Sequence, residues 1–319
     1  MTTEPTPTHV PVMADEVVEM LAPAAGSRHV DATLGGGGHA QRILEASDPD
    51  GRLLGLDADG AAIARVRARL EPRFGDRLHL RQANFRDLAT VAPEEGFDAI
   101  DGCLLDLGLS SFQLGDEERG FGFRTGGPLD MRFDTSRGVP AADLIASLDA
   151  AELTALFRRY GEEPFAGRIA RAVVETRRST PIRTAEELAA LVARVAPSRA
   201  PGRRRVHPAT RIFQALRIAV NEELDALQDG LAAALDLLRP GGRLVVLSYH
   251  SLEDRIVKRF LQAERRGCSC PVEAPVCVCG RQPRLRLLSP KGIVPTDAEI
   301  TANPRARSAR LRAAERIAA

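Results

Sequence analysis

Short apolar runs alternate with amphipathic segments along the first third of the chain. Four of these runs predict β-strands, at residues 28–32, 52–56, 78–82 and 99–107. Segments with apolar residues at helical spacing predict helices between them, at residues 38–46 and 61–70. The alternation predicts an α/β fold with a parallel sheet covered by helices, in which ligands bind beyond the carboxyl ends of the strands.

The alternation stops after Asp106 and resumes only at a strand predicted over residues 243–247. This gap is far longer than a βαβ unit, which takes roughly 30 residues in all. Two pairs with capping-box spacing, Asp149 with Glu152 and Thr184 with Glu187, predict helices within it. We therefore predict a helical domain inserted at residues 119–205, a core of residues 1–118 and 206–319, and a helix over residues 207–238 that returns to the sheet.

The composition limits the class of protein. A hydrophobic fraction of 44% is enough for a globular core, and no apolar run approaches the roughly 18 residues of a membrane span. The first residues lack the basic and apolar regions of a secretory signal, so we expect a cytoplasmic protein with no membrane partner. No feature of the sequence identifies a protein partner.

Basic residues are concentrated in two segments, although the net charge of the chain is only +1. Residues 195–220 contain no acidic residue, and residues 255–319 contain 14 Lys and Arg against 5 Asp and Glu. Such segments favour a localised surface that binds a polyanion. Because Lys258 and Lys291 are the only lysines, a general preference for arginine is the alternative explanation.

Four consecutive glycines separate the first predicted strand from the first predicted helix. Residues 35–40, G-G-G-G-H-A, match the G-x-G-x-x-A pattern of nucleotide-binding turns, in which glycine lets the backbone approach the ligand. Asp57 closes the second strand, where an acid binds ribose hydroxyls. The sequence therefore predicts a nucleoside cofactor, and a plain tight turn is the alternative.

NAD and S-adenosylmethionine both use such a turn, and two observations favour S-adenosylmethionine. Asp31 lies on the strand immediately before the glycines, where a carboxylate suits a cationic or amine-bearing ligand and repels a pyrophosphate. The fourth strand ends in L-L-D-L-G-L-S-S at residues 104–111, a polar turn placed where a methyl acceptor lies in a methyltransferase. An NAD-linked oxidoreductase remains the alternative, although no acid or base for hydride transfer is evident.

Cysteines are clustered near the end of the chain, where Cys268, Cys270, Cys277 and Cys279 lie within 12 residues. In a cytoplasmic protein this density favours a zinc site over disulfide bonds. Both pairs are C-x-C, however, whereas structural zinc sites usually separate paired ligands by two or more residues. A loop of thiols without a metal is therefore the alternative.

Longer motifs run along nearly the whole chain. They are T-H-V-P-V-M at residues 8–13, D-A-T-L-G-G-G-G-H at 31–39, L-L-D-L-G-L-S-S at 104–111, R-G-F-G-F at 119–123, G-P-L-D-M-R at 127–132, H-P-A-T-R at 207–211, S-L-E-D-R-I-V-K-R-F at 251–260 and N-P-R-A-R-S at 303–308. In these motifs and their order the chain resembles the ribosomal RNA small subunit methyltransferase H family, the 16S rRNA cytidine-N4 methyltransferases.

The resemblance implies a Rossmann-like S-adenosylmethionine-dependent methyltransferase core, with the helical insertion as a substrate-recognition domain. Carried over position by position, it implies S-adenosylmethionine contacts from Gly37, Gly38, His39, Asp57, Phe85, Asp106 and Gln113. A place in the hydrophobic core is the alternative for Phe85. Phe112 departs from the family pattern, and its aromatic ring either stacks on a flipped base or fills a gap.

The implied reaction moves a methyl group to the exocyclic N4 of a decoding-centre cytidine in 16S rRNA of the 30S subunit. Because the N4 lone pair is delocalised, the amine must be aligned and its hydrogens need an acceptor. We expect Asp106 to orient the cofactor or accept a proton, Tyr249 to stack on the base and His250 to hold its edge. Alternatively, Tyr249 and His250 only stabilise the turn before a helix capped by Ser251 and Asp254.

The basic segments then become candidates for the RNA-facing surface. The arginines expected to contact phosphates are Arg203, Arg204, Arg205, Arg305 and Arg307, followed by Arg310 and Arg312. A ribosome-assembly factor that binds this RNA without transferring a methyl group is the second alternative.

Overall fold

The computed structural model describes residues 10–123, 126–196, 207–268, 270 and 279–318. Over these residues the chain forms seven strands and thirteen α-helices. The strands are β1 Arg28–Asp31, β2 Arg52–Asp57, β3 Leu78–Gln82, β4 Ile100–Asp106, β5 Leu238–Ser248, β6 Leu285–Leu287 and β7 Arg310–Arg316. The helices are α1 Ala14–Leu21, α2 Gly38–Ala46, α3 Gly60–Phe74, α4 Leu88–Glu94, α5 Ser111–Gly115, α6 Ala141–Ser147, α7 Ala150–Gly161, α8 Ala166–Ser179, α9 Ala185–Val195, α10 Thr210–Asn221, α11 Glu223–Leu237, α12 Ser251–Arg266 and α13 Asp297–Ala302.

All seven strands belong to one sheet with the order β3-β2-β1-β4-β5-β7-β6. The strands from β3 to β5 are parallel, and β7 runs antiparallel to both β5 and β6. The direction of the strand order reverses between β1 and β4, and this switch point is where open α/β sheets bind their ligands. The predicted α/β, Rossmann-like architecture is confirmed.

The predicted strands of the first third agree with β1 to β4 to within one residue at each end. The strand predicted over residues 243–247 is longer, because β5 begins at Leu238. Its pairing with β4 shifts between Leu238, opposite Ile100, and Arg243, opposite Gly102. Pro240-Gly241-Gly242 therefore lies at an irregularity within the strand, three residues after α11 ends at Leu237, with Gly241 at a φ of 86°.

The chain divides into two compact units. The first unit comprises the chain up to Gly108 and Leu224–Ala319, and the second comprises Leu109–Glu223. The predicted insertion, residues 119–205, lies inside the second unit, which starts earlier and ends later. The single helix predicted over residues 207–238 is wrong, because α10 and α11 are separated at Glu222, whose φ is 50°.

The sheet of the first unit buries a hydrophobic layer on each face. Successive strand residues point to opposite faces, so Leu104 packs with Leu53 and Val245 on one face while Leu105 packs with Leu54 and Val246 on the other. A mostly buried strand needs apolar residues on both faces, which explains the continuous apolar runs in the sequence.

The second unit has its own helical core. Residues from α6 to α10 pack around the fully buried Phe157, and α10 contributes Ile212, Phe213 and Leu216. The predicted capping boxes are confirmed, since Asp149 with Glu152 begins α7 and Thr184 with Glu187 begins α9. Among the described residues, no helix combines the length and the apolar character that crossing a lipid bilayer demands.

Candidate active site

Acidic side chains end three neighbouring strands of the first unit. Asp31 is the last residue of β1, Asp57 of β2 and Asp106 of β4, and Tyr249 directly follows β5. Because β2, β1, β4 and β5 are adjacent and parallel, these side chains are brought to one edge of the sheet. The structure thus gathers at the switch point residues that the sequence separates by more than two hundred positions.

The glycine run forms a tight turn between β1 and α2. Gly35 and Gly37 have φ values of 50° and 73°, a region that glycine enters without strain. A Cβ atom on Gly37 would lie 2.9 Å from Cγ2 of Val66, so this position also lacks room for a side chain. The guanidinium of Arg69 donates to the carbonyl oxygen of Gly36 over 2.7 Å and holds the turn from α3.

Asp57 is fixed by backbone donors. Its carboxylate accepts hydrogen bonds from the N–H groups of Gly35 and Asp59, each over 2.8 Å. Burial raises the pKa of Asp57 to about 6, although these two donors favour the charged form. The carboxylate therefore ties β2 to the glycine turn and retains lone pairs for a ligand hydroxyl.

Asp31 is a buried carboxyl group at the switch point, with only 1% of its surface exposed. Burial raises its pKa to about 7, while the neighbouring imidazole of His39 and the Thr33 N–H oppose the rise and the carboxylates of Asp106 and Asp57 add to it. Its carboxylate accepts the N–H of Thr33 over 3.2 Å. A cationic ligand beside Asp31 would favour the ionised carboxylate.

Asp106 lies between a phenol and an imidazole. The Tyr249 hydroxyl donates to Oδ1 of Asp106 over 2.7 Å, and Nε2 of His39 lies 3.4 Å from Oδ2. Burial and the negative charge of Asp106 raise the pKa of Tyr249 well above its usual range, so Tyr249 is a proton donor in this pair. The carboxylate is the group that accepts hydrogen bonds here.

The backbone of Asp106 is also fixed. Its N–H donates to the hydroxyl of Thr33 over 2.5 Å, which links β4 to the segment between β1 and the glycine turn. Sequence reasoning missed Thr33, because its role depends on the pairing of β1 with β4. The T in the D-A-T-L-G-G-G-G-H motif was the available signal.

The chain also matches a known protein family over nearly its whole length. Residues 6–317 match the model of the MraW methylase family. This chain belongs to that family. A relative from Thermomicrobium roseum, named Ribosomal RNA small subunit methyltransferase H, is 58% identical over 98% of this chain and 94% of its own length. Another with the same name, from Syntrophotalea carbinolica, is 51% identical over 97% of this chain and 98% of its own length.

In this MraW methylase family member, Glu253 organises the turn that carries Tyr249. Its Oε2 accepts the N–H groups of Tyr249 and His250, over 2.8 and 3.3 Å, and its side chain is 3% exposed. His250 is the N-cap of α12, and its Nδ1 accepts the N–H of Glu253 over 3.4 Å. The cap predicted at Ser251 and Asp254 is thus wrong by one residue, because the capping box is His250 with Glu253.

The expected stacking role of Tyr249 and the contact of His250 with a base stay predictions. The Tyr249 ring packs beside Gly108, where a Cβ atom would lie 3.0 Å from Cδ2 of the tyrosine. Gly108 has a φ of 130°, so a side chain there would also strain the backbone. The turn after β4 therefore leaves space for the tyrosine ring.

Four further predicted cofactor contacts have defined positions. Gly37 is the N-cap of α2, and Gly38 and His39 are its first residues, with His39 6% exposed. Phe85 follows β3 and packs against α11, where a Cβ atom on Gly230 would lie 2.7 Å from Cδ2 of Phe85. Its ring is only partly buried, and contact with an adenine stays a prediction.

Gln113 belongs to the second unit. It is the N3 residue of α5, where its side-chain oxygen accepts the N–H of Ser110 over 3.0 Å and its own N–H donates to the Ser110 hydroxyl over 3.2 Å. This capping box accounts for the buried amide, which is 8% exposed. Its predicted cofactor contact stays a prediction.

The arginines predicted to bind RNA differ in how the structure places them. Arg203, Arg204 and Arg205 lie outside the described residues. Arg305 and Arg307 are exposed on the 3-10 turn Pro304–Ser308.

The prediction that Arg312 contacts phosphate is wrong, because Arg312 is buried in β7. Its Nε and Nη2 donate to the two carboxylate oxygens of Asp254 over 2.7 and 3.1 Å. Arg310 is half-buried, and its guanidinium donates to the carbonyl oxygen of Lys291 over 3.1 Å.

Three of the four clustered cysteines are described. The Sγ atoms of Cys268, Cys270 and Cys279 lie within 4.8 Å of one another, whereas Cys277 lies outside the described residues.

Proposed function

We propose that this protein is an S-adenosylmethionine-dependent methyltransferase acting on 16S rRNA of the small ribosomal subunit. The observation that carries the proposal is the Asp106 carboxylate, which ends β4 at the switch point and accepts the Tyr249 hydroxyl. Family membership and the name shared by its relatives support the same reaction class and substrate.

The geometry of the switch point supports a set of proposed donor-binding residues. S-adenosylmethionine supplies an electrophilic methyl group on a sulfonium. The turn at Gly35, Gly37 and Gly38 supplies a surface without side chains, and Asp57 supplies lone pairs for ribose hydroxyls. The buried carboxyl of Asp31 fits a cationic donor, because a positive charge nearby lowers the cost of its ionisation. A pyrophosphate would raise that cost, which disfavours NAD.

We propose the exocyclic N4 of a decoding-centre cytidine as the methyl acceptor. In methyl transfer the C–N bond would form as the sulfonium S–CH3 bond breaks, with that electron pair remaining on sulfur. The nitrogen would gain positive charge and lose a proton to a carboxylate or to solvent. We propose that Asp106 accepts a hydrogen bond from the amine and orients its lone pair, while the Tyr249 hydroxyl holds the carboxylate and Nε2 of His39 lies 3.4 Å from it. His250 and the ring of Tyr249 are proposed to contact the target base.

The second unit is proposed as the substrate-recognition domain, with Phe112 and Gln113 on its first helix. Arg203, Arg204, Arg205, Arg305 and Arg307 are the proposed phosphate contacts, and their charge supports binding to RNA in the assembled 30S subunit or as free 16S rRNA. Because the proposed substrate is ribosomal RNA, the cytoplasm is the proposed location.

Methyl transfer to unmodified small subunits tests this proposal. Wild-type protein and Asp106→Asn are incubated with S-adenosylmethionine carrying a labelled methyl group, and with either 30S particles or naked 16S rRNA. We expect wild-type protein to label the RNA and the isosteric variant to do so at least about 100-fold more slowly, because general-base and orienting contributions are of this size.

Donor binding and circular dichroism provide the controls for this experiment. Asp106→Asn should keep the wild-type spectrum. Wild-type protein that binds small-subunit RNA but transfers no label to either substrate would contradict the proposal and favour an assembly factor. Binding of NAD in place of S-adenosylmethionine would favour an oxidoreductase.

A further inference from the structure

Three cysteine thiols converge at the end of α12 in the first unit, apart from every residue of the proposed active site. The Sγ atoms of Cys268, Cys270 and Cys279 all lie within 4.8 Å of one another, and those of Cys268 and Cys279 are 3.8 Å apart. Nothing in the proposed methyl transfer uses these thiols.

Their spacing is that of thiolates around one metal ion. In a tetrahedral zinc site the Zn–S bonds are about 2.3 Å, which places neighbouring sulfurs about 3.8 Å apart. The separation between Cys268 and Cys279 equals such an edge. The C-x-C pair Cys268 and Cys270 also brings both sulfurs within 4.8 Å, so the short sequence spacing does not prevent their convergence.

The backbone that carries the thiols is held by contacts that involve no cysteine. A Cβ atom on Gly267 would lie 2.4 Å from the carbonyl carbon of Gln282 and from the nitrogen of Pro283, so the two segments touch backbone to backbone. The N–H of Arg284 also donates to the carbonyl oxygen of Glu264 over 2.8 Å. The end of α12 and the approach to β6 are therefore joined beside the cysteines, which reduces the entropic cost of forming the site.

Basic residues flank the cysteines in the sequence. Arg266 donates through Nε to the carbonyl oxygen of Cys268 over 3.1 Å, and Arg281 follows Cys279 by two residues. Three thiolates on a divalent cation carry a net charge of −1, which the Arg266 guanidinium beside the Cys268 carbonyl offsets, whereas Arg281 is paired with Glu264 over 3.2 Å. Soft sulfur ligands without carboxylates favour zinc over calcium or magnesium.

We propose that Cys268, Cys270 and Cys279 bind one Zn²⁺ as thiolates and form a structural site. Binding releases the three thiol protons to solvent and forms three Zn–S bonds, with no change of oxidation state. A fourth ligand completes the tetrahedron. The metal would tie the end of α12 to the segment before β6.

Metal content tests the proposal. Full-length protein is expressed with zinc, purified without chelator under reducing conditions and measured by inductively coupled plasma mass spectrometry. We expect about one zinc ion per chain, as in other structural sites, and a loss of at least about tenfold in Cys268→Ser and Cys279→Ser. Cys103→Ala is the matched control, because Cys103 is buried in β4 among apolar residues, and it should keep its zinc.

A serine variant that fails to fold would also lose zinc, so cobalt titration of metal-free wild-type protein is the second measurement. We expect the visible absorption of tetrahedral cobalt thiolates, saturating at about one equivalent. Wild-type protein that takes up neither zinc nor cobalt would overturn the proposal. Equal zinc content in wild type and in well-folded Cys268→Ser and Cys279→Ser would also overturn it, as would an intact mass that shows these cysteines in a disulfide after purification in reductant.

Discussion

At the residue scale, the site is built from carboxylates whose roles depend on their neighbours. Asp31, Asp57 and Asp106 were all predictable, because each ends an apolar run that reads as a parallel strand. Their differences were not predictable. Asp57 is held by backbone N–H groups, whereas Asp106 is held by Tyr249, which follows it by more than a hundred residues. Only the sheet order brings that pair together.

Removing the Tyr249 hydroxyl tests whether the residue acts through Asp106. Tyr249→Phe keeps the ring but deletes the donor 2.7 Å from Asp106. A hydrogen bond to a charged group contributes about 1.5–3 kcal/mol, so we expect methyl transfer to slow by roughly 10- to 100-fold. The measurement is single-turnover methylation at saturating donor. If Tyr249→Phe is fully active and Tyr249→Ala is inactive, stacking on the base is the role of the ring.

Asp31 should make folding stability depend on pH. Its pKa is raised to about 7 from an unfolded value of 3.8, so its contribution to stability is complete below about pH 4 and is lost as the pH rises through 7. Asp31→Asn removes this dependence. As the pH rises from 4 to 8, the unfolding free energy of the wild type should fall by about 1 kcal/mol or more relative to that of the variant, since one pKa unit corresponds to about 1.4 kcal/mol.

Urea unfolding without ligand at several pH values measures this difference. Asp57, with its pKa also raised, is present in both proteins and cancels from the comparison. Asp15→Asn is the control, because the Asp15 side chain is 87% exposed. Parallel stability curves for wild type and Asp31→Asn would contradict the assigned pKa.

At the element scale, the start of α12 shows how a local rule fails by one residue. Ser and Asp are favoured N-caps, which favoured Ser251 with Asp254. The chain uses His250 with Glu253, because Glu253 also holds Tyr249 and Asp254 is engaged by Arg312 of β7. A tertiary ion pair thus decides which of two adjacent acids closes the capping box.

The cap also yields a prediction for His250. Asparagine is a favoured N-cap, so His250→Asn should keep the stability of α12 to within about 1 kcal/mol, whereas His250→Ala should lose about that amount. If capping is the main role of His250, the methylation rate of His250→Asn stays within about threefold of the wild-type rate. This corresponds to a change in activation free energy below about 1 kcal/mol. A much larger loss of methylation in a stable His250→Asn protein would indicate direct contact with the base.

Strands β6 and β7 escaped prediction because their patterns are weak. β6 has three residues, and β7 reads R-L-R-A-A-E-R, in which arginines break the apolar run. The buried Arg312 is tolerated there because Asp254 pairs with it through two hydrogen bonds. Charged residues therefore masked a strand that lies beside β5 in the sheet.

At the scale of the whole molecule, the pattern of strands and helices predicted the α/β core and a helical insertion, but not where the two units divide. The second unit ends at Glu223 because α10 contributes its apolar face to the helical core. An amphipathic helix reads the same in sequence whether it packs on a sheet or on other helices. Only the structure shows that α10 packs on other helices.

The charge distribution gives the prediction for RNA binding. Arg305→Gln with Arg307→Gln removes two exposed charges from the turn at Pro304–Ser308. We expect the double variant to bind 16S rRNA more weakly. The slope of the logarithm of the association constant against the logarithm of the salt concentration should become shallower by about one to two. Filter binding at several salt concentrations measures it, with the exposed Arg73→Gln as control. A slope identical to that of the wild type would exclude these arginines from the interface.

The most direct test of the central claim is the identity of the methylated nucleoside. Small subunits that lack the modification are treated with the wild-type protein and S-adenosylmethionine with a deuterated methyl group, and the 16S rRNA is digested and analysed by mass spectrometry. The account predicts the deuterated methyl group on N4 of a single decoding-centre cytidine. A deuterated methyl group on a ring carbon, on a ribose or on another base would contradict it.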